Sequence, residues 1–122
     1  DSEVVLSLAV LPGGAAYAGT ESGRVYRSAG DDAWERVDPG WPAAMVTAIA
    51  AGPDKGTLCV GRNAADWHAG VHGGVHLSTD GGDTWQDLSA DLSNTQVRRV
   101  LLDDGHVYVA TYGGGVFSRS LP

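Results

Sequence analysis

The chain has 122 residues, enough for one domain with a hydrophobic core and too few for two. Eight Lys and Arg against fifteen Asp and Glu leave a net charge of −7, which repels phosphate backbones and anionic membranes and excludes nucleic acid as an expected ligand. Apolar runs such as Ala48 to Ala51 fall far short of a membrane span, and the N-terminus lacks the basic-then-apolar layout of a signal peptide, so a soluble chain is expected, with or without a targeting segment already removed.

Eighteen glycines are about twice the usual share of roughly 7%, while apolar residues stay plentiful, so the glycines point to many tight turns rather than disorder. Cys59 stands alone, which forbids an internal disulfide and a cysteine-based zinc site, and it reads as a small core residue.

In chain order, a first unit runs through an apolar segment, Val4 to Leu11, then Tyr17-Ala18-Gly19-Thr20, then Gly23-Arg24-Val25-Tyr26, and closes on Ala33-Trp34-Glu35-Arg36-Val37. A second unit repeats the order with Met45 to Ala51, Cys59-Val60-Gly61-Arg62, Gly73-Gly74-Val75-His76 and Thr84-Trp85-Gln86-Asp87-Leu88. A third gives Val97 to Leu102, Tyr108-Val109-Ala110-Thr111 and Gly114-Gly115-Val116-Phe117, then stops near Ser120. Every segment is short, rich in Val, Tyr, Thr and Trp, and bounded by Gly, Pro, Asp or Asn, which is strand chemistry, and no stretch holds a helical period over ten residues. The expectation is an all-β chain of eleven strands, antiparallel and four to a unit, with the last strand of the third unit missing. A repeat of about 40 to 50 residues with four strands has the size of a propeller blade, a twisted sheet that buries its faces against neighbouring blades. The chain is therefore expected to be a partial β-propeller, one domain over residues 1–122, with blade 1 at about 4–40, blade 2 at about 45–92 and an incomplete blade 3 at about 96–120.

Ser78-Thr79-Asp80-Gly81-Gly82-Asp83-Thr84-Trp85 resembles the Asp-box, S-x-D-x-G-x-T-W, of the bacterial neuraminidase repeat found in sialidases, sortilin-type receptors and several glycoside hydrolases. Ser28-Ala29-Gly30-Asp31-Asp32-Ala33-Trp34 occupies the same place in the first unit, one residue shorter and without the Thr, and resembles a decayed box. The resemblance implies a structural motif away from any catalytic centre, with Ser78, Asp80, Gly82, Thr84 and Trp85 in fixed positions. Asp80 can accept backbone N–H groups, Gly81 or Gly82 can take positive φ, and Trp85 can pack beneath the hairpin. A secreted or periplasmic location is implied by the resemblance alone.

Fewer than three blades cannot close a ring when propellers need about four to eight. The expected partners are the remaining blades of a longer propeller, which is favoured because unpaired strand edges invite aggregation, or identical chains completing a ring.

Between the second and third strands of a unit, the first and third units use two residues, Glu21-Ser22 and Tyr112-Gly113, and the second uses ten, Asn63 to His72. Loops carry function on a repetitive scaffold, so this insertion marks the candidate binding rim. The Asp38-Pro39-Gly40-Trp41-Pro42 connection falls on the same rim. Trp41 and Trp67, with Asp66, His68 and Arg62, are the expected ligand-binding residues: aromatic faces stack on a sugar ring while polar groups hydrogen-bond to its hydroxyls, which suits a glycan or other polar small molecule. The competing reading has both tryptophans sealing the seam between blades. His68, His72 and His76 are spaced by four, but the glycines around them argue against a helix, and in an extended chain nearest members lie about 13 Å apart, so no metal site is expected. No cofactor motif is present. Of the carboxylates, Glu21 and Asp66 are the best available catalytic pair, and solvated turn residues are the simpler reading of both. The arginine cluster of a sialidase cannot be assembled from Arg62, Arg98 and Arg99. The expectation is a non-enzymatic scaffold binding a glycan, peptide or partner protein through one rim; the alternatives are a fragment of a propeller glycoside hydrolase or sialidase, and a lectin-like ring of identical chains.

Overall fold

The structure, a computed structural model, describes residues 4–28, 33–41, 44–54, 56–63, 73–89, 96–112 and 115–121. Blade 1 consists of β1 (Val5–Val10), β2 (Ala16–Thr20), β3 (Val25–Ser28) and β4 (Trp34–Arg36). Blade 2 consists of β5 (Met45–Ala51), β6 (Leu58–Asn63), β7 (Gly74–Ser78) and β8 (Gln86–Asp87). Blade 3 consists of β9 (Val97–Asp103), β10 (His106–Thr111) and β11 (Gly115–Ser120). Each sheet is antiparallel and keeps its strands in chain order, so the fold is an all-β partial propeller with a three-stranded last blade, as the repeats require. Asn63, which the sequence places in the loop after Arg62, pairs with Met45 and belongs to β6.

The blades pack in series: β5 lies against β1 and β2, and β9 against β5 and β6. Tyr17, Val25, Val46, Leu58 and Val60 form the core of the first seam, and Ala48, Cys59, Val75, Val97, Val107 and Val109 belong to that of the second. Because blade 2 is covered on both faces, β6 loses the buried-exposed alternation of a surface strand: Leu58 and Val60 turn to one seam, Cys59 to the other, and the strand is buried from Leu58 to Arg62. Burial of Val46, Val60, Val97 and Val107 removes nearly all their surface from water, about 1.5 kcal/mol or more for each.

The seams close because a strand glycine receives the next blade's valine. A Cβ on Gly19 would run into Cγ1 of Val46 and the Ser7 hydroxyl and lie 2.8 Å from Val46 Cβ. At the equivalent position of blade 2, a Cβ on Gly61 would lie 2.6 Å from Val97 Cγ1. Blade 3 has Ala110 there, paired with Val116 as Gly19 is with Val25. Hydroxyls strengthen the same contact: Ser7 Oγ donates to Val46 O at 3.0 Å and Thr47 Oγ1 to Val97 O at 2.6 Å. Each first strand carries a bulge near this point, at Leu6, Thr47 and Arg98.

Candidate functional site

The Ser78–Trp85 turn is a hydrogen-bonded hairpin that also contacts blade 1. Ser78 Oγ donates to Asp80 Oδ1 at 2.8 Å and accepts Gly82 N–H at 2.8 Å, while Asp80 Oδ1 accepts Thr84 N–H at 2.9 Å. Both Gly81 (φ 77°) and Gly82 (φ 101°) take the positive φ that the turn needs. Hydrogen bonds from the Thr84 hydroxyl and N–H, then from Ser78, hold the Asp80 carboxyl down to about 2, so it is ionised and saturated with donors, which suits a turn anchor and not a general acid. Across the seam, Gly81 O accepts from Tyr17 Oη at 2.7 Å and Arg27 Nη1 at 2.8 Å, and Trp85 Nε1 donates to Val37 O at 3.1 Å. Sequence reasoning missed Tyr17 and Arg27; the signal was that they sit opposite each other on β2 and β3 where blade 2 has apolar Cys59 and Leu77.

Trp41 is positioned by the turn before it. Asp38 Oδ1 accepts Val25 N–H at 2.9 Å, Asp38 Oδ2 accepts Gly40 N–H at 3.2 Å and pairs with Arg36 Nη2 at 3.0 Å, and Gly40 takes φ 89°. The chain then delivers the half-buried Trp41 ring to the seam between blades 1 and 2. There it stacks on His76 with centroids 4.4 Å apart, meets Trp85 edge-on at 5.1 Å, and lies 5.1 Å from the Arg62 guanidinium carbon. Arg62 Nη1 is 3.2 Å from His76 Nε2, a bond that requires the ring nitrogen to be the acceptor. Burial, then the neighbouring Arg62 charge, pushes the His76 imidazole down to about 4, keeping it neutral at physiological pH and able to accept that bond.

The arrangement is a cation and three rings locked together at the root of the long β6–β7 connection. The sequence places Arg62 among the expected ligand-binding residues of the rim; the structure keeps it near the end of β6 but turns it inward, 3% exposed, because both faces of that strand are covered. Trp41 occupies the seam, the competing place considered for it. His76 is buried, packed on Trp41 and hydrogen-bonded to Arg62. Asp66, Trp67, His68 and His72 lie outside the described residues. Glu21 is exposed in the turn after β2, its backbone N–H donating to Val4 O at 2.9 Å.

No protein-family model matches the chain, and no curated protein does. Among solved structures, the chain is similar to YCF48 bound to D1 peptide, with 13% sequence identity and a TM-score of 0.73 over 98% of its length. It spans 38% of that chain. The similarity is one of fold, and YCF48 is a β-propeller, which agrees with the blade packing seen here.

Proposed function

We propose that the chain is part of a non-enzymatic β-propeller of the Asp-box type that binds a protein or peptide partner through the rim carrying the β6–β7 connection. The observation that carries this reading is the locked Arg62, His76, Trp41 and Trp85 cluster, which gives a rigid root to a connection that is a short turn in blade 1. Rigid roots under long loops are how repeat scaffolds present binding surfaces. The similarity to a propeller solved with a peptide bound favours a peptide over a glycan. In this reading Trp67, Asp66 and His68 make the contacts, and Trp41 and Arg62 fix their base.

The test replaces residues 64–71 with a two-residue Gly-Ser turn, copying the connection of blade 1, and probes both chains on a peptide array and a glycan array. Peptides bound by the parent and lost in the shortened chain, at unchanged melting temperature, are the expected result. Glycans bound without peptides would replace this reading with the lectin-like one. Hydrolysis of a chromogenic glycoside that disappears in Glu21→Gln and Asp66→Asn would replace it with a glycoside hydrolase.

A further inference from the structure

The first strands of the blades carry a second surface. Arg98 is the extra residue of the bulge that β9 makes against β10, since Val97 pairs with Thr111 and Arg99 with Ala110. The bulge sets two consecutive arginines into one groove, which they line with Leu6, Met45, Thr47 and Tyr112. That groove crosses the first strand of all three blades, β1, β5 and β9, and opens near the starts of those strands, on the rim that holds the β6–β7 connection.

Both arginines are exposed. Among the described residues, Arg27 and Arg36 are held by Glu35, Asp83 and Asp38, whereas the Arg98 and Arg99 side chains have no ion pair or hydrogen bond. This is a chain with fifteen carboxylates to eight basic groups, so acids were available to neutralise them. Two adjacent like charges repel, and the pair concentrates positive potential in a concave place on a molecule that is negative overall.

We infer that this groove binds an acidic peptide segment of a partner. Guanidinium forks donate to carboxylates in a bidentate geometry, and Leu6 and Met45 offer apolar surface for the stems and intervening side chains of a chain, which a small free carboxylate would not use. The inference extends the protein-binding reading to different residues and does not need the β6–β7 connection.

The experiment is fluorescence anisotropy with a labelled peptide of alternating Glu and Leu and its Gln-for-Glu counterpart, titrated with the parent chain, R98Q/R99Q and R98K/R99K. The Glu peptide binds the parent, the Gln peptide and R98Q/R99Q each weaken binding about tenfold, affinity falls with added salt, and R98K/R99K restores part of it. All variants should melt with the parent, since neither side chain is packed. Equal binding by R98Q/R99Q, equal binding of the Gln peptide, no binding of the Glu peptide, or competition by free glutamate at the same concentration as by the peptide would each overturn the inference.

Discussion

Adding one methyl to Gly19 should cost stability, although alanine in a strand ordinarily gains about 0.5 to 1 kcal/mol over glycine. Gly19 is in β2 and has no positive φ to protect, so the backbone accepts alanine and the sign depends on the seam. The new Cβ would stand 2.8 Å from Val46 Cβ and closer still to Val46 Cγ1 and Ser7 Oγ. Val46 is fully buried, and the Ser7 hydroxyl is already committed to Val46 O, so neither can turn aside without losing contacts. Overpacking of this kind costs about 1 to 3 kcal/mol. Net of the alanine gain, contacts this close leave a cost of about 1 to 2.5 kcal/mol, and since a chain of 122 residues loses about 4 °C of melting temperature per kcal/mol, Gly19→Ala should drop it by roughly 4 to 10 °C. Urea unfolding followed by tryptophan fluorescence measures the loss. Val46→Ala alone also destabilises by removing buried methyls, but Gly19→Ala/Val46→Ala should be more stable than the sum of the singles by about 1 kcal/mol, since the clash with Val46 Cγ1 is then removed. A Gly19→Ala chain as stable as the parent, or additive energies in the cycle, would refute the glycine-valine seating of the seam.

Gly82→Ala should cost about 1 to 3 kcal/mol from its φ of 101° alone, and more than Gly14→Ala, because Gly14 has φ 99° with open space around it while a Cβ on Gly82 would meet Val37 Cγ2 at 3.1 Å; parallel urea titrations measure the difference. Between about pH 6.5 and about pH 4 the unfolded chain binds a proton at His76 that the folded chain refuses, so stability holds above that window, falls through it by about 3 kcal/mol and levels below it. His76→Phe, which copies Phe117 of blade 3, should remove that share of the slope in melting temperature against pH. Burial pushes the Cys59 thiol up to about 12, so the native chain should react with a disulfide reagent at pH 8 only after denaturant is added.

The strands were legible because local chemistry decides them. Tyr17-Ala18-Gly19-Thr20, Cys59-Val60-Gly61-Arg62 and Tyr108-Val109-Ala110-Thr111 carry the same apolar and turn signals, and they became β2, β6 and β10. The Ser78–Trp85 hairpin was legible for the same reason: Ser78, Asp80 and Thr84 bond within one turn. What sequence did not reveal depends on the neighbouring blade. Gly19 and Gly61 read as ordinary strand glycines until Val46 and Val97 arrive from 27 and 36 residues further along the chain. Arg62 reads as a rim cation because strand alternation predicts an exposed face, and blade 2 has none at that point. Trp41 could serve a ligand or the seam on composition alone; the Asp38 turn and the His76 ring decide its place, and both act through tertiary contact. Arg98 and Arg99 were visible as a pair, but the bulge that sets them in one groove is a property of pairing with β10.

The central claim is that successive blades lean on each other with the valine of one seated over the glycine of the other. A Cβ built on Gly61 lies 3.5 Å from Val97 Cβ, within the range a disulfide spans. Gly61→Cys/Val97→Cys, made with Cys59→Ala to leave a single pair, should therefore oxidise in air to one internal disulfide, seen by peptide mass mapping, in a monomer that keeps its fold. Two thiols that stay free in the folded monomer would contradict the radial packing of blades 2 and 3.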